Sequence, residues 1–153
     1  MSIRAEEIDQ PLYSRMMVGG YDRYDISFFN SSIGCYNSIG EMIERDDTNM
    51  CNQSYILQMF TIKAIRFRET ITDLNVREHL IKYGYFILRI MDRDYLTYPL
   101  HLMNNYYYFL EKDLEMPIII NPYQSFQVLL TMKNYDHKFQ LTCELLGTMR
   151  RQN

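Results

Sequence analysis

The feature that most constrains this chain is a change of hydrophobic period near Pro122. Beyond it, Phe126, Val128, Leu130 and Met132 alternate with Gln127, Leu129 and Thr131, and Phe139, Leu141, Cys143 and Leu145 alternate with Gln140, Thr142 and Glu144. A period of two puts each apolar set on one face of a strand, whereas on a helical wheel the same residues scatter. The alternation predicts strands over 125–132 and 139–146, joined as an antiparallel β-hairpin around Lys133 to Lys138. Opposing Met132 to Phe139, Leu130 to Leu141, Val128 to Cys143 and Phe126 to Leu145 sets all eight on one side. A lone hairpin is marginal in water, so that side must cover something else.

Before Pro122 the apolar spacing reads as helical. Ile56, Phe60, Ala64, Phe67 and Ile71 make one stripe of a helix over 54–71 with Ser54 as N-cap, although Ile65 to Arg68 also alternates as a strand would. Asp73 caps a second helix over 73–92, on which Asn75, Glu78, His79, Lys82 and Arg89 share a narrow polar arc. Pro99 suits the first position of a third helix over 98–112, with Leu100, Met103, Tyr106, Tyr107 and Leu110 on its apolar face. Met116 to Asn121 reads as a buried extended segment. In the first fifty residues, Pro11, Gly19, Gly20, Gly34, Gly40, Asp46 and Asp47 break the chain into short pieces, with a strand from Tyr24 to Phe28 and two helical turns over 38–45 capped by Ser38. The expectation is a single domain over 1–153 of the α+β class, a three-helix core with a C-terminal hairpin; the alternative is all-α.

At 153 residues, 47% of them hydrophobic and 23% charged, the chain can bury a core without disulfide or metal staples. No apolar run reaches the length of a membrane span, and no internal repeat is present. Met1 to Gln10 carries Arg4, Glu6, Glu7 and Asp9 with no apolar stretch behind them, which reads as no secretory signal. Cys35, Cys51 and Cys143 are an odd number at wide spacing. That fits free thiols and a cytoplasmic, reducing compartment.

The net charge is only −3, but its distribution is uneven. Met1 to Ser54 holds four basic against nine acidic residues, whereas Tyr55 to Arg93 holds seven basic against four acidic. Lys63, Arg66, Lys82 and Arg89, with Arg68, Arg77 and Arg93 around them and Phe67, Tyr83 and Tyr85 interleaved, are the candidate nucleic-acid contacts. They make no continuous stripe, because Arg77 points away from the face of Lys82 and Arg89.

Local signatures of metal, dinucleotide, nucleoside triphosphate and serine-hydrolase chemistry are missing, so no catalytic residue, metal site or cofactor is assigned. His101, Asn105 and Tyr108 fall at i, i+4 and i+7 and would share a pocket as acid and base; the simpler reading is a solvated helix face. Asp92 and Asp94 offer oxygen ligands to a cation, but the triplet they flank also suits a helix end. Cys35, beside Gly34, reads as an exposed thiol, and Cys143 as an inert core residue.

The chain has 14 tyrosines and 11 methionines but no tryptophan, and both abundant types suit surfaces that pack against a partner. The expected function is a non-enzymatic protein–protein interaction or assembly subunit, acting on a protein partner or by self-association. Its vocabulary, heavy in Ile, Asn, Tyr and Met, fits a virus or phage structural component built into a particle. A small nucleic-acid-binding factor is the alternative, and a small enzyme with dispersed catalytic residues comes third.

Overall fold

The computed structural model describes residues 5–20, 25–37, 40–69 and 73–152. Among these residues ten strands follow in order: β1 (Ala5–Asp9), β2 (Leu12–Val18), β3 (Asp25–Phe28), β4 (Phe60–Glu69), β5 (Tyr85–Ile90), β6 (Arg93–Pro99), β7 (Asn104–Asn105), β8 (Leu110–Ile120), β9 (Phe126–Thr131) and β10 (Phe139–Gln152). Among the described residues one α-helix, α1 (Leu74–Tyr83), separates β4 from β5, and a 3-10 turn spans Leu100–Leu102. The first sheet runs β1-β10-β4-β8-β7; β2 pairs with the first half of β10 and β1 with its last residues. The second runs β3-β9-β5-β6. All pairings are antiparallel.

The inner faces of the two sheets share one core. Phe67 on β4 of the first sheet meets Phe28 on β3 and Phe86 on β5 of the second, with ring centroids 5.9 and 5.5 Å apart. Each such contact adds about 0.5–1.5 kcal/mol to the burial itself. The architecture is a β-sandwich, in which alternate residues of every inner strand face the opposing sheet.

This overturns both the three-helix core and the all-α alternative, since the chain is mostly strand. Over 54–71 the helical spacing comes from a β-bulge. Leu146 and Gly147 of β10 lie opposite Ala64 and Ile62, leaving Lys63 extra. The inserted residue changes the parity of the buried face, from Phe60 and Ile62 before it to Ile65, Phe67 and Glu69 after it. The slip lets Phe60 and Phe67, seven residues apart as on two turns of a helix, face the core together from one strand. Gly147 permits this register: a Cβ there would lie 1.8 Å from the Thr61 carbonyl oxygen.

The segment 73–92 is a helix and a strand run together. Asp73 caps α1 as expected, its carboxylate accepting from the Asn75 N–H at 2.9 Å. The helix stops at Gly84, whose N–H donates to the Leu80 carbonyl. Phe86, Leu88 and Ile90 then alternate into the core. The third helix, over 98–112, is replaced by edge strand β6, the 3-10 turn, β7 and the start of β8. Pro99 closes β6, where an edge strand tolerates a missing donor. Met91 and Asp92, with φ of 51° and 63°, form the two-residue type I′ turn between β5 and β6.

The two C-terminal strands exist, but the hairpin does not. β9 pairs with β3 and β5, and β10 pairs with β1, β2 and β4, so the two lie in opposite sheets. Phe126, Val128, Leu130 and Met132 are buried from one side, and Leu141, Cys143 and Leu145 from the other. Alternation selects the face that is buried, and it is silent on which strand lies alongside.

Within the first fifty residues, Asp25–Phe28 is a strand as expected, while Tyr24 lies outside the described residues. Ser38 and Ile71 also fall outside them. Residues 40–45 are not helical: Met42 bridges to Tyr36. Residues 116–120 are extended within β8, but Met116 and Ile119 are exposed rather than buried. Among the described residues, no helix is long and apolar enough to cross a membrane.

Candidate functional site

The outer face of the first sheet carries two joined features, a braced loop and a trough. Both begin with the alternation of β10. Because Leu141, Cys143 and Leu145 face the core, Thr142 and Glu144 must face outward. They are nevertheless only 7% and 8% exposed. Thr142 sits opposite Arg15 on β2 and Arg68 on β4, and Glu144 opposite Tyr13 and Arg66, so long side chains on both neighbours lean over them.

One wall of the trough is the segment 44–49, lashed to β2. The Arg15 N–H donates to the Asp47 carbonyl at 2.6 Å, and the Arg15 guanidinium meets the Asp47 carboxylate at 2.9 Å. Tyr13 donates its hydroxyl to the Arg45 carbonyl, and Thr48 donates to the Tyr13 carbonyl. On the same outer face, the Arg66 guanidinium lies 3.9 Å above the Phe109 ring and hydrogen-bonds Glu111 at 2.8 Å. The trough holds about 730 Å³, and Tyr13, Arg45, Asp46, Arg68, Tyr108 and Glu144 all line it. At its floor, Arg68 Nη2 is 3.2 Å from Glu144 Oε1 but is not aligned to donate, so this buried oxygen has no hydrogen bond.

The loop that forms the second wall is held from beneath by a buried ion pair. Arg77 on α1 grips Glu69 at the end of β4 through two bonds, Nε to Oε1 at 2.8 Å and Nη2 to Oε2 at 2.7 Å. Its remaining donors reach Asn105 Oδ1 at 2.9 Å, the Tyr106 carbonyl at 2.6 Å and the Tyr107 carbonyl at 3.4 Å. All five guanidinium N–H groups are thus used. Both side chains are almost fully buried. Above them Tyr106, Tyr107 and Tyr108 are 46%, 71% and 63% exposed. The rings of Tyr107 and Tyr108 meet edge to face, 4.7 Å apart.

The residues singled out from sequence are dispersed by this fold. Arg66 is engaged in the Glu111 pair on the outer face of the first sheet. Arg89 stands on the outer face of the second, bound to Asp94 at 2.7 Å, a hydrogen bond that raises its pKa. Lys63 is the exposed bulge residue, and Lys82 is on α1 beside the Tyr83 ring. The four are not brought to one surface. Of the proposed acid and base trio, His101 lies in the 3-10 turn, Asn105 accepts from Arg77, and Tyr108 lines the trough.

Asp92 is in the type I′ turn, and Asp94 is committed to Arg89. Among the described residues, no three of His, Cys, Asp and Glu gather as metal ligands. Cys35 is half-buried rather than exposed, 3.2 Å from Ser32 Oγ. Cys143 is in the core as expected; burial, and then the charge of Glu144, push its thiol well above its ordinary range.

Glu144, Tyr13, Arg15 and the Arg77–Glu69 pair were not singled out by sequence reasoning. One signal for Glu144 was available: a carboxylate in the middle of a strand whose flanking residues are all core. Two-layer antiparallel sandwiches that carry a polar concavity on one outer face form the class to which this geometry belongs. The chain matches no protein-family model, no curated protein and no solved structure.

Proposed function

We propose that the chain is a non-catalytic protein-binding module whose contact element is the tyrosine loop 106–108. The observation that carries this reading is the use of a buried guanidinium to hold the carbonyls of two successive exposed tyrosines. Desolvating an ion pair is expensive, and apolar residues of the same size stabilise a core as well or better. A loop fixed this way loses little entropy on binding, and tyrosine supplies large contact area with few rotatable bonds. An assembly role follows where the partner is a second copy, which is the first partner to test.

The experiment is sedimentation velocity of the wild-type chain and of the Tyr107→Ser/Tyr108→Ser double variant at rising concentration, followed by a pull-down from the source with each. Concentration-dependent mass, or a retained protein, that is lost in the double variant supports the reading. A monomeric wild type whose pull-down is indistinguishable from that of the variant overturns it.

A further inference from the structure

We infer that segment 44–49 is a cap that stops the first sheet from growing: it holds shut the outer edge of β2, which without it would pair with β2 of a second copy. The tyrosine loop plays no part in this. Among the described residues β2 pairs with no strand but β10. In an antiparallel strand each residue turns both backbone groups to one side, alternating along the chain, and those of Tyr13 and Arg15 point away from β10. Such an edge is a template for another extended chain.

The four outward groups from the Pro11 carbonyl to the Arg15 N–H are all met, three of them by side chains. The Asn49 amide donates to the Pro11 carbonyl at 2.8 Å and accepts from the Tyr13 N–H at 3.0 Å. One side chain thus does what a residue of a neighbouring strand does with its backbone. The Thr48 hydroxyl donates to the Tyr13 carbonyl at 2.8 Å, and the Arg15 N–H to the Asp47 carbonyl at 2.6 Å.

The cap offers no edge of its own. A paired strand would turn a fresh row of donors and acceptors outward, but this segment folds back on itself. The Asp47 and Thr48 N–H groups donate to the Glu44 carbonyl at 3.0 and 3.2 Å, and the Glu44 N–H donates to the Asp47 carboxylate at 3.1 Å. Glu44, Arg45 and Asp46 face solvent, so charge covers the turn. Ile43 and Met50, on either side of the segment, are 7% and 1% exposed; the core pins both ends, and the cap is a fixed part of the fold.

A second copy fits the edge by symmetry. Pairing β2 with its mate about a two-fold axis at Ser14 sets Tyr13 opposite Arg15 of the second copy. The backbone groups now held by Asn49, Thr48 and Asp47 then meet their equals, and a guanidinium lies beside a ring. The same operation keeps Leu12, Ser14 and Met16 on the inner side of both sheets, so no face is reversed.

The experiment is made in the Tyr107→Ser/Tyr108→Ser chain, so that association through the tyrosine loop cannot enter. Adding Asp47→Ala and Asn49→Ala, at two half-exposed positions, removes the ion pair and the bridging amide. In the capped parent the Tyr13 and Arg15 amides should be protected from exchange. In the uncapped chain at low concentration the Tyr13 amide should exchange about tenfold faster or more, and dimers absent from the parent should appear in sedimentation velocity as concentration rises. Arg15→Pro, which removes an outward donor and leaves the pairing with β10 intact, should abolish those dimers. If the uncapped chain does not fold, Asn49→Ala alone replaces it, with the same outcomes expected. Unprotected Tyr13 in the capped parent, an uncapped chain that stays monomeric, or an association that survives Arg15→Pro overturns the inference.

Discussion

Removing either half of the Glu69–Arg77 pair is expected to be far more damaging than removing both. In Glu69→Met, a guanidinium 7% exposed keeps only the neutral acceptors Asn105, Tyr106 and Tyr107. In Arg77→Met, a carboxylate 3% exposed is left unpaired, along with two backbone carbonyls. Breaking a buried pair in this way costs about 3–5 kcal/mol, which for a chain of this size lowers Tm by roughly 10 °C. The double Met variant buries no charge and fills similar volume, so it should fall within about 2 kcal/mol of the wild type. Urea unfolding of the four chains gives the cycle, with an expected coupling of at least about 3 kcal/mol. Amide exchange read at residues 105–108 adds the functional half: in the double variant these amides should exchange faster although global stability is restored. Single losses under about 1 kcal/mol, or a double loss equal to their sum, would refute the argument that this pair is a desolvated unit bracing the loop.

Three further outcomes are expected. Gly147→Ala forces a Cβ to within 1.8 Å of the Thr61 carbonyl oxygen and should cost about 3 kcal/mol or more, seen as a lowered urea midpoint or an insoluble chain. Met91→Asn with Asp92→Gly suits the positive φ of both turn positions and should stabilise by about 1 kcal/mol in thermal unfolding; no gain would contradict the type I′ assignment. Cys143 keeps its proton in the folded chain at pH values where the unfolded thiol, with pKa about 8.5, ionises. Its contribution is therefore complete below that value and declines as pH rises above it, by at most about 1.4 kcal/mol per pH unit, toward the raised folded pKa. Cys143→Ala should flatten this alkaline slope relative to the wild type, and thiol reagents should label exposed Cys51 in the native state but Cys143 only on unfolding.

What could be read beforehand was which residues face inward, more than what surrounds them. The inward sets of β9 and β10 were legible because strict alternation leaves no other face to bury. Their pairing was not, because the strands lying beside them come from residues 5–18, 25–28, 60–69 and 85–90, far away in sequence. Phe60 and Phe67 misled for a definite reason: the residue inserted at Lys63 puts them, seven apart, on one inward face, an interval that a helix allows and a regular strand does not, while Ala64 lies opposite Leu146 on the other side. Gly84 was a stop signal inside the second helix, where it costs about 1 kcal/mol relative to alanine, and it marks the true end of α1. The Met91-Asp92 turn was hidden because neither residue is the glycine or asparagine that favours positive φ. The trough and the braced loop both depend on contacts across long separations, such as Arg77 with Tyr106, which no local pattern encodes.

Strand β10 follows in the chain every strand it pairs with, yet it occupies the interior of the first sheet. Until it docks, β4 and the β1 and β2 segments have no shared neighbour, and their hydrogen-bonding edges stand open to any other extended chain. Assembly therefore waits on a closure between the two ends of the sequence, a slow class of event, and a newly made chain spends that interval vulnerable to sticking to its neighbours.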